Sequence, residues 1–159
     1  MAWPQYMKAL VWTVNIIGWP LIHILVAKIA VKLPLKYFSY DNFLYKERSW
    51  ERGGEFYSRR LRIKRWKSLL PDGAPWLGGF KKKKLEHRDR TYIRSFILEA
   101  RRAEAAHWCM FFCLPIFFLW NPRWACLVMT AYAAGANFPC ILAQRYNRLV
   151  LLRILRRMS

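Results

Sequence analysis

At 159 residues the chain is long enough for one domain and too short for two. It is 55% hydrophobic and 17% aromatic, yet its formal net charge is +19. An ordinary soluble domain is excluded by that combination: so much apolar surface calls for burial or lipid, and so much positive charge calls for phosphate, nucleic acid or an anionic membrane.

The charge and the apolar surface are segregated along the chain. The first apolar run, Ala9 to Ala27, carries no formal charge, and at 1.5 Å per residue a helix of this length crosses a hydrocarbon core of roughly 30 Å. A transmembrane helix is therefore expected over 9–30. Its leading segment holds only Lys8, the stronger positive charge follows it, and no A-x-A site stands out. This reads as an uncleaved anchor and not as a removed signal peptide.

The basic segment 34–104 comes next. "YKERSWERGGEFYSRRLRIKRWKSLLPDG" is expected to be helical in pieces, broken at Gly53–Gly54 and stopped at Pro71-Asp72-Gly73. Phe56, Tyr57, Leu61, Ile63 and Trp66 interleave with Arg59, Arg60, Arg62, Lys64, Arg65 and Lys67. Such a helix lies on a membrane with its aromatics inward and its guanidinium groups at the phosphates. Basic and aromatic interleaving also suits RNA, but beside three hydrophobic spans no nucleic-acid partner is expected. Gly73 to Phe80 reads as a flexible apolar loop around Trp76, and Lys81 to Lys84 as a contact for an anionic surface.

From Thr91 to Trp108 the apolar positions Ile93, Phe96, Ile97 and Ala100 mark one helix face. Steps of four and three carry that face on to Glu104 and His107, whereas Arg94, Arg101 and Arg102 fall on the charged face. A carboxylate and an imidazole on a buried face at membrane depth are costly unless paired, and at i, i+3 they can pair with each other. Two further spans follow, 105–121 and 124–143, joined by Asn121-Pro122-Arg123 as a hairpin. Cys109, Cys113, Cys126 and Cys140 all lie in this hairpin without metal-ligand spacing, and read as small apolar thiols. His23 within the first span reads as a polar contact between helices, and His87 as solvated. The third span ends in a polar cluster of Asn137, Gln144, Arg145, Asn147 and Arg148, at the same membrane face as Glu104 and His107; phosphate snorkelling is the plain alternative for the two arginines. The tail 144–159 is expected to be an amphipathic interfacial helix, with Val150, Leu151, Ile154, Leu155 and Met158 on one face.

The expected fold is thus an all-α integral membrane protein, a single membrane domain over 1–159. It has three transmembrane helices plus basic amphipathic interfacial helices on the cytoplasmic side. Nineteen Lys or Arg and all nine acids lie between Pro34 and Ala106, and five more Arg follow the third span. The positive-inside rule then places the protein in the cell membrane with its N-terminus outside, and the central segment and C-terminus in the cytoplasm.

"RIKRWKSLLPDG", "EARRAEAAHW", "FFLWNP" and "ANFPCILAQRYNRLVLLRIL" resemble the glycosyl-4,4'-diaponeurosporenoate acyltransferases, membrane enzymes of staphyloxanthin-type carotenoid biosynthesis. The resemblance runs from about Lys36 to the C-terminus. One departure is Leu149, where family members often carry a proline; leucine lets the helix run on into the tail. The resemblance implies transfer of a fatty acyl group to a sugar hydroxyl on a lipid-like glycosylated acceptor. The donor is an acyl thioester, acyl-CoA or acyl carrier protein, and no cofactor or metal is expected. Acylation of another glycolipid, or a non-catalytic membrane adaptor, are the alternatives.

A sugar hydroxyl needs a base to take its proton as it attacks a thioester, and histidine suits that task near neutral pH. His107 is the expected general base and Glu104 the group that orients it. Asn137 is the first candidate for the oxyanion, with Gln144 or Arg145 as alternatives. Asn147, Arg148, Trp108, Arg101, Lys64, Trp66 and Lys67 complete the expected substrate-binding set, the lysines drawing in the anionic donor. Three spans enclose little space for a long acyl chain and a polyene, so either interfacial helices or a second protomer, in a homo-oligomer, is expected to complete the pocket.

Overall fold

The computed structural model describes residues 5–71, 87 and 89–158. The loop around Trp76, Lys81 to Lys84 and the Asp72-Gly73 stop lie outside the described residues. Among the described residues five α-helices appear in order: α1 (Gln5–Lys32), α2 (Glu55–Arg59), α3 (Ile63–Trp66), α4 (Arg90–Phe112) and α5 (Arg123–Arg157). Short 3-10 turns lie at Leu35–Phe38, Ser49–Gly54, Lys67–Leu69 and Leu114–Leu119. Among the described residues there is no strand. Three segments of the described residues are long and apolar enough to cross a membrane: Ala9–Lys32, Arg90–Leu119 and Arg123–Arg157.

The backbone explains the boundaries. Asp89 caps α4, its side chain accepting from the Tyr92 N–H at 2.9 Å. Pro115, in the first turn of Leu114–Leu119, follows the end of α4, and Pro122 precedes α5. Pro139 lies inside α5, which runs on through Leu149 to Arg157.

The antiparallel pair α4 and α5 forms the spine. At one end Trp19 of α1 packs with Leu114, Phe117, Met129 and Ala133. Its indole N–H donates to Met129 Sδ at 3.3 Å, and its ring stacks on Phe117 with centroids 4.5 Å apart. At the other end α1 is tied to α4 by Arg102, which donates to the carbonyls of Val31 and Leu33 at 3.1 and 3.5 Å. Those carbonyls belong to the last turn of α1 and the residue beyond, where no helical N–H is available to them. Leu10, Ile16, Leu21 and Leu25 of α1 are exposed, as lipid-facing side chains are.

Three expectations are corrected. The piece after Gly53–Gly54 is not one continuous amphipathic helix. Arg62, at φ +48°, separates α2 from α3, and Tyr57 and Ile63 are buried against Ala143, Tyr146 and Leu149 of α5. The glycine break does hold: Gly54 sits at φ +91°, where a Cβ would come within 3.3 Å of Tyr146 and Val150. The tail continues the third span without a break, as Leu149 leads one to expect, but its apolar face is covered by protein. It is the last four turns of α5, and Leu151 is buried with Ile93, Phe96 and Ile97 of α4. Lastly, Arg101 and Arg102 are buried and only Arg94 lies on an exposed face. Both buried arginines capture backbone carbonyls of the preceding segment, a role that helix periodicity does not encode.

Candidate active site

α4 and α5 bring Glu104, His107, Asn137, Arg145 and Arg148 together. Glu104, Asn137 and Arg148 are fully buried. Arg148 donates to Glu104 Oε2 through Nε and Nη2 at 3.3 and 3.2 Å, and Arg145 donates to Glu104 Oε1 at 3.0 Å. Arg145 also donates to both oxygens of Glu51, at 2.5 and 3.0 Å, and the Tyr57 hydroxyl donates to Glu51 Oε1 at 2.6 Å. Two carboxylates and two guanidinium groups therefore alternate in one neutral lattice. Burial of any one charge alone would cost several kcal/mol, on the order of 3–5 once its partner is lost.

The lattice also fixes a loop. Arg145 donates to the carbonyls of Leu44 and Lys46 at 2.6 and 3.1 Å, and Arg148 to that of Tyr45 at 2.6 Å. Arg101 reaches the carbonyls of Phe38, Ser39 and Tyr40 and pairs with Asp41. Neither Arg145 nor Arg148 snorkels to phosphate; both turn inward.

Glu51 was not singled out in the sequence. Burial alone would raise its carboxyl, but donors from Arg145, Tyr57 and the Arg48 backbone outweigh it and hold the group below the usual carboxylate range. Burial, then the Glu51 carboxylate, pushes the Tyr57 phenol up. The Tyr45 phenol is pushed up to about 12, mainly by burial and next by Glu104. The signal for Glu51 is scarcity: nine acids face twenty-eight Lys or Arg, so any acid that folds inward will find guanidinium partners.

Asn137 stands at His107 in the orienting position expected of Glu104. His107 Nδ1 lies 3.1 Å from Asn137 Oδ1, while the Glu104 oxygens are engaged by the two arginines. Asn137 Nδ2 donates to the Ala133 carbonyl at 2.9 Å, which fixes the amide with Oδ1 toward the imidazole. Oδ1 can only accept, so Nδ1 carries the hydrogen, and in the neutral form of the ring the lone pair is at Nε2. Asn137 thereby orients the ring, with one of its two amide hydrogens engaged by the Ala133 carbonyl. Arg145, an alternative for the oxyanion, is committed to two carboxylates.

The remaining candidates divide. Lys67 donates to Asn147 Oδ1 at 2.7 Å and lies 5.0 Å over the Tyr146 ring; burial, then nearby Lys64, lowers its pKa. Trp66 donates to the Leu61 carbonyl at 2.9 Å, and Lys64 is exposed. Lys67 and Trp66 thus pack beside α5, against Asn147 and Tyr146. Trp108 Nε1 and Gln144 Oε1 are buried with no hydrogen-bond partner, one a donor and the other an acceptor. On the membrane side of His107, Trp108, Phe111, Phe112 and Phe138 form a continuous aromatic ledge with centroid spacings of 4.8 to 6.3 Å.

Fold and site together define a small helical membrane protein with a buried ion lattice, a positioned histidine and an aromatic apolar ledge beside it. The family model for glycosyl-4,4'-diaponeurosporenoate acyltransferase matches residues 41–157. A protein of that name from Staphylococcus haemolyticus is 33% identical over 132 residues, covering 82% of this chain and 76% of the relative. One from Staphylococcus aureus (strain bovine RF122 / ET3-1) is 32% identical over 144 residues, covering 87% and 86%. No solved structure matches. The chain belongs to the glycosyl-4,4'-diaponeurosporenoate acyltransferase family and is an acyltransferase. That sets aside the adaptor reading.

Proposed function

We propose that this acyltransferase moves a fatty acyl group from an acyl thioester, on CoA or acyl carrier protein, to a sugar hydroxyl of a glycosylated carotenoid. The family's named substrate supplies the acceptor class. The observation that carries the mechanism is the His107–Asn137 contact, which fixes an imidazole with its basic nitrogen at Nε2.

His107 takes the hydroxyl proton as the sugar oxygen attacks the thioester carbonyl. A C–O bond forms, the C–S bond breaks, and the imidazolium returns the proton to the departing thiolate. Asn137 holds the ring. Glu104 acts at one remove, keeping α4, α5 and the 44–46 backbone in register through Arg145 and Arg148. Trp108 Nε1–H and Gln144 Oε1 are two buried polar atoms without a hydrogen-bond partner among the described residues, and we assign them to substrate. The aromatic ledge supports an acceptor with a long apolar chain that stays in lipid while its sugar meets the thioester at the interface. The density of basic residues in 34–104 supports a cytoplasmic location for this seam, with the N-terminus outside.

The test is product analysis. Membranes holding the wild-type protein should convert glycosylated carotenoid and an acyl thioester into acylated product, read by mass spectrometry. His107→Ala at equal protein level should not. Full conversion by His107→Ala would defeat this assignment.

A further inference from the structure

The 41–49 segment, α4 and the end of α5 line an open cavity of about 940 Å³, with Asp41, Tyr45, Lys46, Arg48, Arg101 and Arg156 among its walls. We propose that this cavity seats the phosphate of the donor's phosphopantetheine arm, a site that rests on the thioester reading given above.

The charge pattern of the cavity argues for an anion. Its two acids are already matched: Asp41 pairs with Arg101, and Glu47 with Arg156 at 3.1 Å. Lys46 and Arg48 also line the cavity, and among the described residues neither forms an ion pair. Two positive charges are therefore left in excess. Arg48 donates to the Phe43 carbonyl at 2.8 Å and lies 4.2 Å over the exposed Phe43 ring, so its guanidinium is already held in place without its charge being neutralised. Arg101 is only 5% exposed, and its Nε is buried with no hydrogen-bond partner. An orphaned donor on a buried guanidinium is the kind of group that an arriving acceptor, or a water held by it, satisfies.

Position argues for the donor. Tyr45 forms the wall between the cavity and the ion lattice: its hydroxyl donates to the Arg101 carbonyl at 3.3 Å, and its own carbonyl accepts from Arg148, the partner of Glu104. Arg101 precedes His107 by six residues, an axial rise of about 9 Å along α4 at 1.5 Å per residue, with the two side chains on different faces of the helix. A pantetheine chain spans that distance, so a phosphate in the cavity can deliver a thioester to the imidazole. CoA and acyl carrier protein share this arm, and the cavity does not choose between them. A phospholipid headgroup offers the same phosphate chemistry, and the experiment separates the two.

Calorimetry on the full-length protein in phosphatidylcholine nanodiscs would compare 4'-phosphopantetheine with pantetheine. The phosphorylated ligand should bind at least about tenfold more tightly, as expected for a charge-assisted contact. Lys46→Glu, a change at an exposed side chain, should remove that difference and raise the KM for the acyl thioester by about tenfold. Equal affinity for the two ligands, or an unchanged preference in Lys46→Glu, would overturn the proposal. So would displacement of phosphopantetheine by phosphatidylglycerol added to the nanodiscs, which would make the cavity a headgroup site. Phosphopantetheine binding that depends on Lys46, without turnover of any thioester, would support the cavity and count against the reaction proposed above.

Discussion

His107 Nδ1 and Asn137 Oδ1 meet at 3.1 Å across the α4–α5 interface, and Asn137 is itself anchored to the Ala133 carbonyl one turn earlier. Position and tautomer of the imidazole thus come from the opposite helix, not from its own. If the histidine is the base, the two residues act as a unit. His107→Ala should lower kcat by about 10² to 10⁴, the usual worth of a general base. Asn137→Ala should lower kcat by about tenfold or more, because the ring loses its fixed tautomer. The double variant should be no slower than His107→Ala alone, since orienting an absent ring has no value. Steady-state kinetics on the four proteins checks this; multiplicative losses would show that the residues act independently.

Glu104 and Arg148 are both fully buried, so neither can be relieved by water if the other is removed. Glu104→Gln should lower unfolding stability by about 3–5 kcal/mol, because Arg148 keeps its charge in an apolar setting. Replacing both, as Glu104→Gln with Arg148→Met, should recover part of that loss. Thermal unfolding in detergent would read both effects. A double variant that is less stable than Glu104→Gln would mean that the Arg148 bond to the Tyr45 carbonyl dominates.

How far the sequence led can be judged at particular residues. The three spans are visible because apolar length is a one-dimensional property, and Glu104 and His107 are visible as inward because helix periodicity places them there. The partners are not visible. Glu51 meets Arg145 across 94 positions, and Arg101 and Arg102 turn inward to backbone carbonyls that exist only once α1 and the 38–41 segment have folded against α4. A pattern of hydrophobic and charged letters assigns an arginine to the surface by default. It is overruled here because unsatisfied carbonyls at the end of α1 and in the following loop need donors. The tail misled for a related reason. Its apolar face is real, but that face is covered by Ile93, Phe96 and Ile97, so an amphipathic helix that matched a membrane surface in sequence is occupied by protein.

Glu51 predicts a pH dependence. Its folded carboxyl lies below its ordinary value of 4.5, because donors from Arg145, Tyr57 and the Arg48 backbone outweigh the burial that would raise it. The stability this confers is present above the ordinary value and is lost as pH falls from there through the folded value. Glu51→Gln should therefore unfold at a lower temperature at neutral pH, yet lose less further stability in the acid window below 4.5 than the wild type. Unfolding temperatures across that window would test it. Parallel curves for the two proteins would assign the acid sensitivity to other carboxylates.

At the far end of the spine, Asn15 of α1 and Asn121 before α5 form a reciprocal amide pair. Asn15 Nδ2 donates to Asn121 Oδ1 at 2.8 Å, and Asn15 Oδ1 accepts from Asn121 Nδ2 and from the Trp120 indole, each at 2.9 Å. Within an apolar layer such bonds hold helices together because lipid offers no competing partner, though measured values are modest, about 0.6 kcal/mol on average. Asn15→Leu should therefore cost about 1 kcal/mol of stability. It should loosen α1 from the hairpin without disturbing His107, which is separated from Asn121 by the last residues of α4 and the Leu114–Leu119 segment. The expected signature is weaker crosslinking between cysteines introduced at Trp12 and Trp124, whose rings lie 6.0 Å apart, with kcat held within about twofold. A collapse of kcat in Asn15→Leu would show instead that α1 shapes the site along its whole length, and that residues 41–157, matched by the family model, do not hold the whole of the catalytic apparatus.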